Sequence, residues 1–472
     1  MNEDRKIYSR RKLRGLKESK PSIWEVGKPS SLPLSALLNG GLDSSRWIAL
    51  CGPLAAMTRE YCEEPLSEGW EFALPFTFKH RTATYRHKTY GTEKTVRLIS
   101  HREGWFPGCE DADTVAAAYV ALASEWTATT GLPLLSSPSK TGQAYLWEML
   151  PKGQDFPALP ADVERVVRAN SPQHRIEQFV VEGRESVEAL LHRCYQYDGR
   201  WMYANLCAID RLPVGEPRKV GGFREYQPGW YRTAVRIPKD WNHIGLLPVV
   251  LHDGWVYPSL PGGTVKGWFC EPELTLAVQN GWEIMEVFDG YAFDKGRPLL
   301  PWAGALCRMR KRLMGVAVKA GLAAPDGEKW KALNFAASAV RQILNHAIGS
   351  LHARGYEREL FVSDDDWRMW RRENAGWFDT HNAERVKGGW LVSHYVPDNS
   401  PLSINMSHWS ATIWALERER IARAALRCDG KEGGPGPEVL VKINGDAIYS
   451  TERLAWIEEE DKGRVGQLRR KE

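Results

Sequence analysis

Residues 194–199 read Cys-Tyr-Gln-Tyr-Asp-Gly and residues 439–447 read Val-Leu-Val-Lys-Ile-Asn-Gly-Asp-Ala, and the meaning of these two stretches decides how the chain folds. Each is an apolar, strand-like run that ends in a carboxylate, Asp198 in the first and Asp446 in the second. An ionised carboxylate leaving a buried strand is costly unless it is paired or holds a metal. Although 248 residues apart in sequence, the two aspartates can meet at adjacent strand ends and bind a pair of divalent ions. That is the equipment of two-metal phosphoryl or nucleotidyl transfer. Taken singly, each aspartate also suits a turn or a helix cap.

The rest of the composition narrows the setting. The chain has 472 residues, with 63 Lys+Arg against 59 Asp+Glu and a net charge of +4. That length allows two to four structural units, taking roughly 150 residues for each. With 43% hydrophobic and 26% charged residues, a disordered or low-complexity chain is excluded. No apolar run reaches the roughly 18 residues needed to cross a bilayer, and the charged N-terminus lacks the apolar core of a signal peptide. The expectation is a soluble, cytoplasmic protein with no membrane partner. The eight cysteines are scattered with no CxxC pair, which argues against a zinc site or a disulfide framework.

Tryptophan is abundant, with 21 residues, many beside Arg, Lys or Gly as in Trp367-Arg368-Met369-Trp370-Arg371-Arg372. Such interleaving suits stacking on bases and gripping phosphate; half-buried aromatic anchors are the other reading. Basic residues gather at 5–20, in a hairpin-like stretch at 79–102 hinged at Tyr90-Gly91-Thr92, and at 306–319 with helical spacing. Three basic blocks on a nearly neutral chain suggest a face for polyanions.

Along the chain, 113–129 is an Ala-rich helix with an acidic first turn, 151–160 a linker, and 175–210 short strands with a helix around 184–193. Residues 220–295 are strand-rich, and 328–351 and 404–427 are long helices with apolar residues three and four apart. Between those helices the chain is polar and turn-rich; a strand at 439–450 and a charged, helix-like tail follow. The predicted class is α/β or α+β.

Segment 195–206 (YQYDGRWMYANL) resembles motif A of family B DNA polymerases, D-x-x-S-L-Y-P. Asp198 falls at its metal-binding Asp and Tyr203 at the Tyr that packs under the incoming sugar. Segment 341–349 (RQILNHAIG) resembles motif B, K-x-x-x-N-S-x-Y-G, with Arg341, Asn345 and Gly349 at the Lys, Asn and Gly. Segment 443–447 (INGDA) resembles motif C, Y-x-D-T-D-S, with Asp446 at the second Asp. The three stand in the family's order. The flanks GGTVKGWFCEPELTLAVQNGWEIMEVFDGYAF (262–293) and SINMSHWSATIWALERERI are similar to the protein-primed, bacteriophage-type branch. The departures are Arg341 for Lys, His346 for Ser, Ile348 for Tyr, Asn444 for the first Asp and Ala447 for Ser.

The resemblance implies a right-hand polymerase with palm and fingers, preceded by a degenerate 3′–5′ exonuclease-like domain and with the thumb reduced or absent. Its divisions would be 1–170 exonuclease-like, 171–215 palm, 216–298 a first family-specific insertion, 299–351 fingers, 352–400 a second insertion, and 401–472 palm with a short tail. Asp198 and Asp446 would hold Mg²⁺, with Mn²⁺ an alternative. Tyr203, Arg341, Asn345 and Gly349 would bind the nucleotide together with one of Arg308, Arg310, Lys311 or Arg312, Arg308 and Lys311 first among them, and Trp367, Trp370, Arg371 and Lys471 would bind the DNA. The implied partners are template, primer and deoxynucleoside triphosphates, with room for a priming terminal protein or a processivity partner; the implied setting is a phage or a mobile linear element, in the host cytoplasm if phage-encoded. Asn39, Asp43, Cys109 and Asp113 only weakly resemble exonuclease motifs and read better as turn and cap residues, so proofreading is not expected. Two other classes stay open: an inactive polymerase-like binder of nucleic acid, and a metal-dependent nuclease or nucleotidyltransferase with another acceptor.

Overall fold

The computed structural model describes residues 38–39, 47–50, 66–77, 82–100, 104–109, 111–132, 134–135, 137–150, 156, 159–179, 194–209, 211–251, 254–319, 327–352, 356–369, 383–386, 389–396, 406–428, 430 and 439–471. Helices and sheets are mixed throughout them. Strands β1 (Trp47–Leu50), β2 (Trp70–Thr77), β3 (Thr82–His87) and β4 (Glu93–Ser100) form a sheet ordered β1-β4-β3-β2. The pair β3–β4 is the basic hairpin, with Arg86 opposite Glu93 and Gly91 at φ +66 in its turn. Helix α1 (Ala112–Thr130) starts where the Asp111 carboxylate accepts the Thr114 N–H and stops at Gly131 in a left-handed conformation. Helices α2 (Pro138–Met149) and α3 (Ala161–Ala169) follow.

The next stretch is β5 (Ile176–Gln178), β6 (Tyr195–Gly199), α4 (Met202–Leu206), β7 (Leu212–Lys219), β8 (Gly229–Arg236), β9 (Val249–Leu251), β10 (Gly254–Val256), β11 (Thr264–Cys270), α5 (Glu271–Gln279) and β12 (Glu283–Gly296). Here β11-β8-β12-β7 form an antiparallel sheet and β9-β10 a hairpin. Long helices α6 (Leu300–Lys319) and α7 (Glu328–Leu351) precede β13 (Tyr356–Ser363), β14 (Ala383–Val386) and β15 (Gly389–Val396). The chain continues through α8 (Ser407–Cys428), β16 (Leu440–Asn444), β17 (Ala447–Ser450), α9 (Ala455–Glu460) and β18 (Leu468–Arg470). The central sheet, β18-β6-β17-β16-β5, is antiparallel at every junction.

Among the described residues, a hydrophobic core joins the long helices to the central sheet and to the sheet β11-β8-β12-β7. It contains Trp126 of α1, Leu146 of α2, Tyr197 of β6, Ile343 of α7, Ile413 of α8, and Ile443 and Ile448 of β16 and β17. Helices α1 and α2, from the stretch 1–170, therefore share their core with α7, from the stretch 299–351. Among the described residues, tryptophans such as Trp105, Trp126, Trp230, Trp282, Trp302 and Trp409 are almost wholly buried, so for these the anchoring reading holds.

Several elements differ from expectation. The stretch 439–450 is a hairpin, because Gly445 at φ +61 reverses the chain before Asp446. The charged tail is a short helix and then β18, an edge strand on β6. The polar stretch 352–400 contains the three-stranded sheet β13-β15-β14. Asp113 lies exposed in the first turn of α1 while Asp111 is its cap, and Asn39 accepts the Trp70 indole N–H at 3.2 Å. The helix around 184–193, Asp43 and most of the linker 151–160 lie outside the described residues. No described helix is long and apolar enough to cross a membrane.

Candidate active site

Strand β6 lies between β17 and β18, and residues directly opposed in a ladder share a face of the sheet. Asp198 is opposed by Ala447 on one flank and by Arg469 on the other. Asp446 sits one residue before Ala447, and its carbonyl accepts the Gly199 N–H at 2.9 Å. The two aspartates singled out in the sequence are thus brought side by side. Glycine at 199 suits this packing: a Cβ there would lie 2.8 Å from the Met202 Cβ and 3.3 Å from the Asp446 Oδ2.

The pair is electrostatically uneven. The Asp198 Oδ1 accepts the Arg469 Nε–H at 3.1 Å. The Asp446 Oδ2 is buried with no hydrogen-bond partner, and the Arg341 Nη2, at 3.8 Å, is too distant for one. Burial pushes Asp446 up to about 6, the Glu417 and Asp198 charges push the same way, and Arg341 opposes them.

Beneath this pair lies a second cluster. The Tyr203 hydroxyl donates to the Glu417 Oε2 at 2.8 Å and lies 3.2 Å from the His174 Nδ1. Burial, then the Glu417 charge, raises Tyr203 well above its ordinary value; His174 is raised by its hydrogen bond to Glu417. Tyr203 joins Trp201, Met202 and Ala204 with Arg341, Leu344 and Asn345 of α7 around a small hollow. Trp201 reaches it in a left-handed conformation, φ +54, and the Arg310 guanidinium of α6 sits 4.8 Å over its ring. Burial lowers the Arg310 pKa, and the charges of Arg469 and Arg341 lower it further, so three arginines converge here.

Other sequence-chosen residues lie elsewhere. Of the α6 candidates, Arg308 is exposed and acts on Tyr145 of α2, Lys311 and Arg312 are exposed, and Arg310 lies over the Trp201 ring. Gly349 is in the last turn of α7, where its carbonyl accepts the His352 N–H, and it does not line the hollow. Ile348 is core. Trp367 stacks on Trp390 at 4.6 Å, so one ring face is already covered. Lys471 is exposed, with its N–H donated to the Gln196 carbonyl. Trp370 and Arg371 lie outside the described residues. Sequence reasoning passed over Glu417, His174 and Arg469. Glu417 carried a signal: it lies four residues after Ile413 and four before Ile421, a carboxylate on an apolar stripe.

The donor set fits a hard divalent ion with shared ligation. Among the described residues no three His, Cys, Asp or Glu side chains are grouped to hold a metal. Two carboxylates, one with an unpartnered buried oxygen, match the way Mg²⁺ is held by one or two protein oxygens plus substrate phosphates.

No family model matches the chain, and no curated protein matches it. Among solved structures, the ternary complex of Phi29 DNA polymerase with primer-template DNA and incoming nucleotides aligns with a TM-score of 0.57 at 12% identity, covering 92% of this chain and 77% of that one. An orthorhombic crystal form of the same polymerase aligns at 0.51 and 12% identity, covering 82% and 67%. A binary complex with primer-template DNA aligns at 0.47 and 14% identity, covering 75% of this chain and spanning only about half, 54%, of the polymerase. In fold, this chain resembles Phi29 DNA polymerase.

Proposed function

We propose that the chain is a template-directed DNA polymerase, a divergent relative of the protein-primed family B branch. The observation that carries this is the meeting of Asp198 on β6 with Asp446 in the turn entering β17, with Arg469 on the first and Arg341 near the second. Asp198 and Asp446 would hold Mg²⁺ or Mn²⁺, which lowers the pKa of a primer hydroxyl and neutralises a pyrophosphate leaving group. Arg310 and Arg341 would grip a triphosphate, and Asn345 and Tyr203, which line the hollow, would contact the nucleoside. Exposed Lys471 on the edge beside β6 suits a primer phosphate, and the Trp367–Trp390 stack, with Trp370 and Arg371 nearby in sequence, suits DNA. Template, primer and deoxynucleotides are the partners of this reading, and a priming or processivity protein is compatible with it. Primer extension on a defined template with Mg²⁺ or Mn²⁺, omitting each deoxynucleotide in turn, tests it.

One observation favours a second reading. Each aspartate has an arginine nearby, Arg469 on Asp198 and Arg341 near Asp446, an arrangement that also suits an inactive, nucleic-acid-binding scaffold. DNA binding without synthesis under any metal would establish that reading.

A further inference from the structure

Glu417 is fully buried, and its Oε2 meets a phenol and an imidazole: the Tyr203 hydroxyl at 2.8 Å and the His174 Nδ1 at 3.4 Å. Burying a carboxylate this way is costly. What it holds is the residue at the edge of the candidate nucleotide seat, since Tyr203 lines the hollow with Trp201, Arg341 and Asn345. Three separate segments build the contact: α4 supplies Tyr203, α8 supplies Glu417, and the chain entering β5 supplies His174. Glu417 also lies against the turn that carries Asp446, because a Cβ on Gly445 would be 3.5 Å from the Glu417 Oε1 and 3.7 Å from the His174 Nδ1.

We infer that Glu417, assisted by His174, is a positioning residue that locks the Tyr203 ring beneath the sugar of an incoming nucleoside triphosphate and so sets the rejection of a 2′-hydroxyl. A ring free to change rotamer can move aside for an extra oxygen at small cost. A ring tied at its hydroxyl to a buried anion cannot, so selectivity depends on a carboxylate that never touches the sugar. This rests on the nucleotide-binding reading above but not on turnover.

The test is equilibrium binding of dATP and ATP to the full chain with a dideoxy-terminated primer–template and Ca²⁺, read by tryptophan fluorescence. The parent should prefer dATP. Glu417→Ala and Tyr203→Phe should each lose roughly three- to tenfold of that preference, the range expected when one hydrogen bond is removed. The double variant should lose no more than either single one, because both remove the same contact. Glu417→Gln, which still accepts the phenol hydrogen, should keep most of the preference. A parent without preference, or a Glu417→Ala protein with parental melting and unchanged preference, overturns the inference. Should Glu417→Ala fail to fold, Tyr203→Phe probes the same contact from the other side, and an unchanged preference there overturns it equally. Primer extension on the same preparations separates the two levels. An intact dATP preference that falls in the variants, without any extension, removes the polymerase reading and supports the Glu417 assignment.

Discussion

Glu417 and Arg418 are neighbours on α8, both buried, and they belong to opposite kinds of surroundings. Arg418 donates through Nε to the Glu273 Oε1 of α5 at 2.7 Å, with both side chains 2% exposed, and also to the Pro172 carbonyl. Charge is balanced there, and the pair fastens α5 to α8. Glu417 points the other way, into a cluster where Asp446 and Asp198 add negative charge and Asp446 is held at about 6. One side of the helix pairs its ions directly; the other leaves Glu417 as a surplus carboxylate, held by a phenol and an imidazole rather than by an arginine, while Arg469 and Arg341 sit beside the two aspartates. A buried carboxylate without a direct guanidinium, beside a hollow, is the pattern of sites that bind something, whereas balanced burial is the pattern of packing.

Breaking the balanced side should have the largest effect on stability. Arg418→Ala leaves Glu273 buried without its cation and should cost about 3–5 kcal/mol in denaturant unfolding. A loss under 1 kcal/mol would mean that the pair is solvated in solution. On the surplus side, the effect should reverse sign. Asp446 is raised above its unfolded value, so its ionisation opposes folding fully above about 6, and the penalty fades as pH falls through 6 towards 4. Asp446→Asn should therefore stabilise the metal-free protein at pH 7.5, by up to about 3 kcal/mol, and by almost nothing at pH 4. Melting curves of both proteins across that range check the sign; a stabilisation that grows towards acid contradicts it. The smallest effect concerns Arg469, whose side chain is 41% exposed. Arg469→Ala should change stability by less than about 1 kcal/mol. It should also tighten Mn²⁺ binding followed by electron paramagnetic resonance, since a competing guanidinium leaves Asp198. Unchanged Mn²⁺ affinity would make the contact incidental.

Much of this arrangement was legible in residues. Asp198 and Asp446 announced themselves because apolar runs lead into them, and α7 and α8 because their apolar residues recur at helical spacing. What escaped was set by tertiary contact. β18 is three residues long, reads as charged tail, and exists only because β6 offers an open edge. Which face of α6 meets α4 is invisible in a run as basic as CRMRKR, so Arg310 could not be told from Arg308 and Lys311 before the helix was packed. The hairpin at 439–450 turns on Gly445, whose positive φ a strand-like run conceals.

The central claim is that Asp198 and Asp446 together serve nucleotidyl transfer on a template. Primer extension with one deoxynucleotide withheld tests it most directly, run on the parent and on Asp198→Asn and Asp446→Asn proteins shown to be folded. The parent should extend to the template position that requires the missing nucleotide and stop, and each variant should lose activity by at least about a hundredfold. Extension at the parental rate by either variant, or products that ignore the template, would contradict the claim.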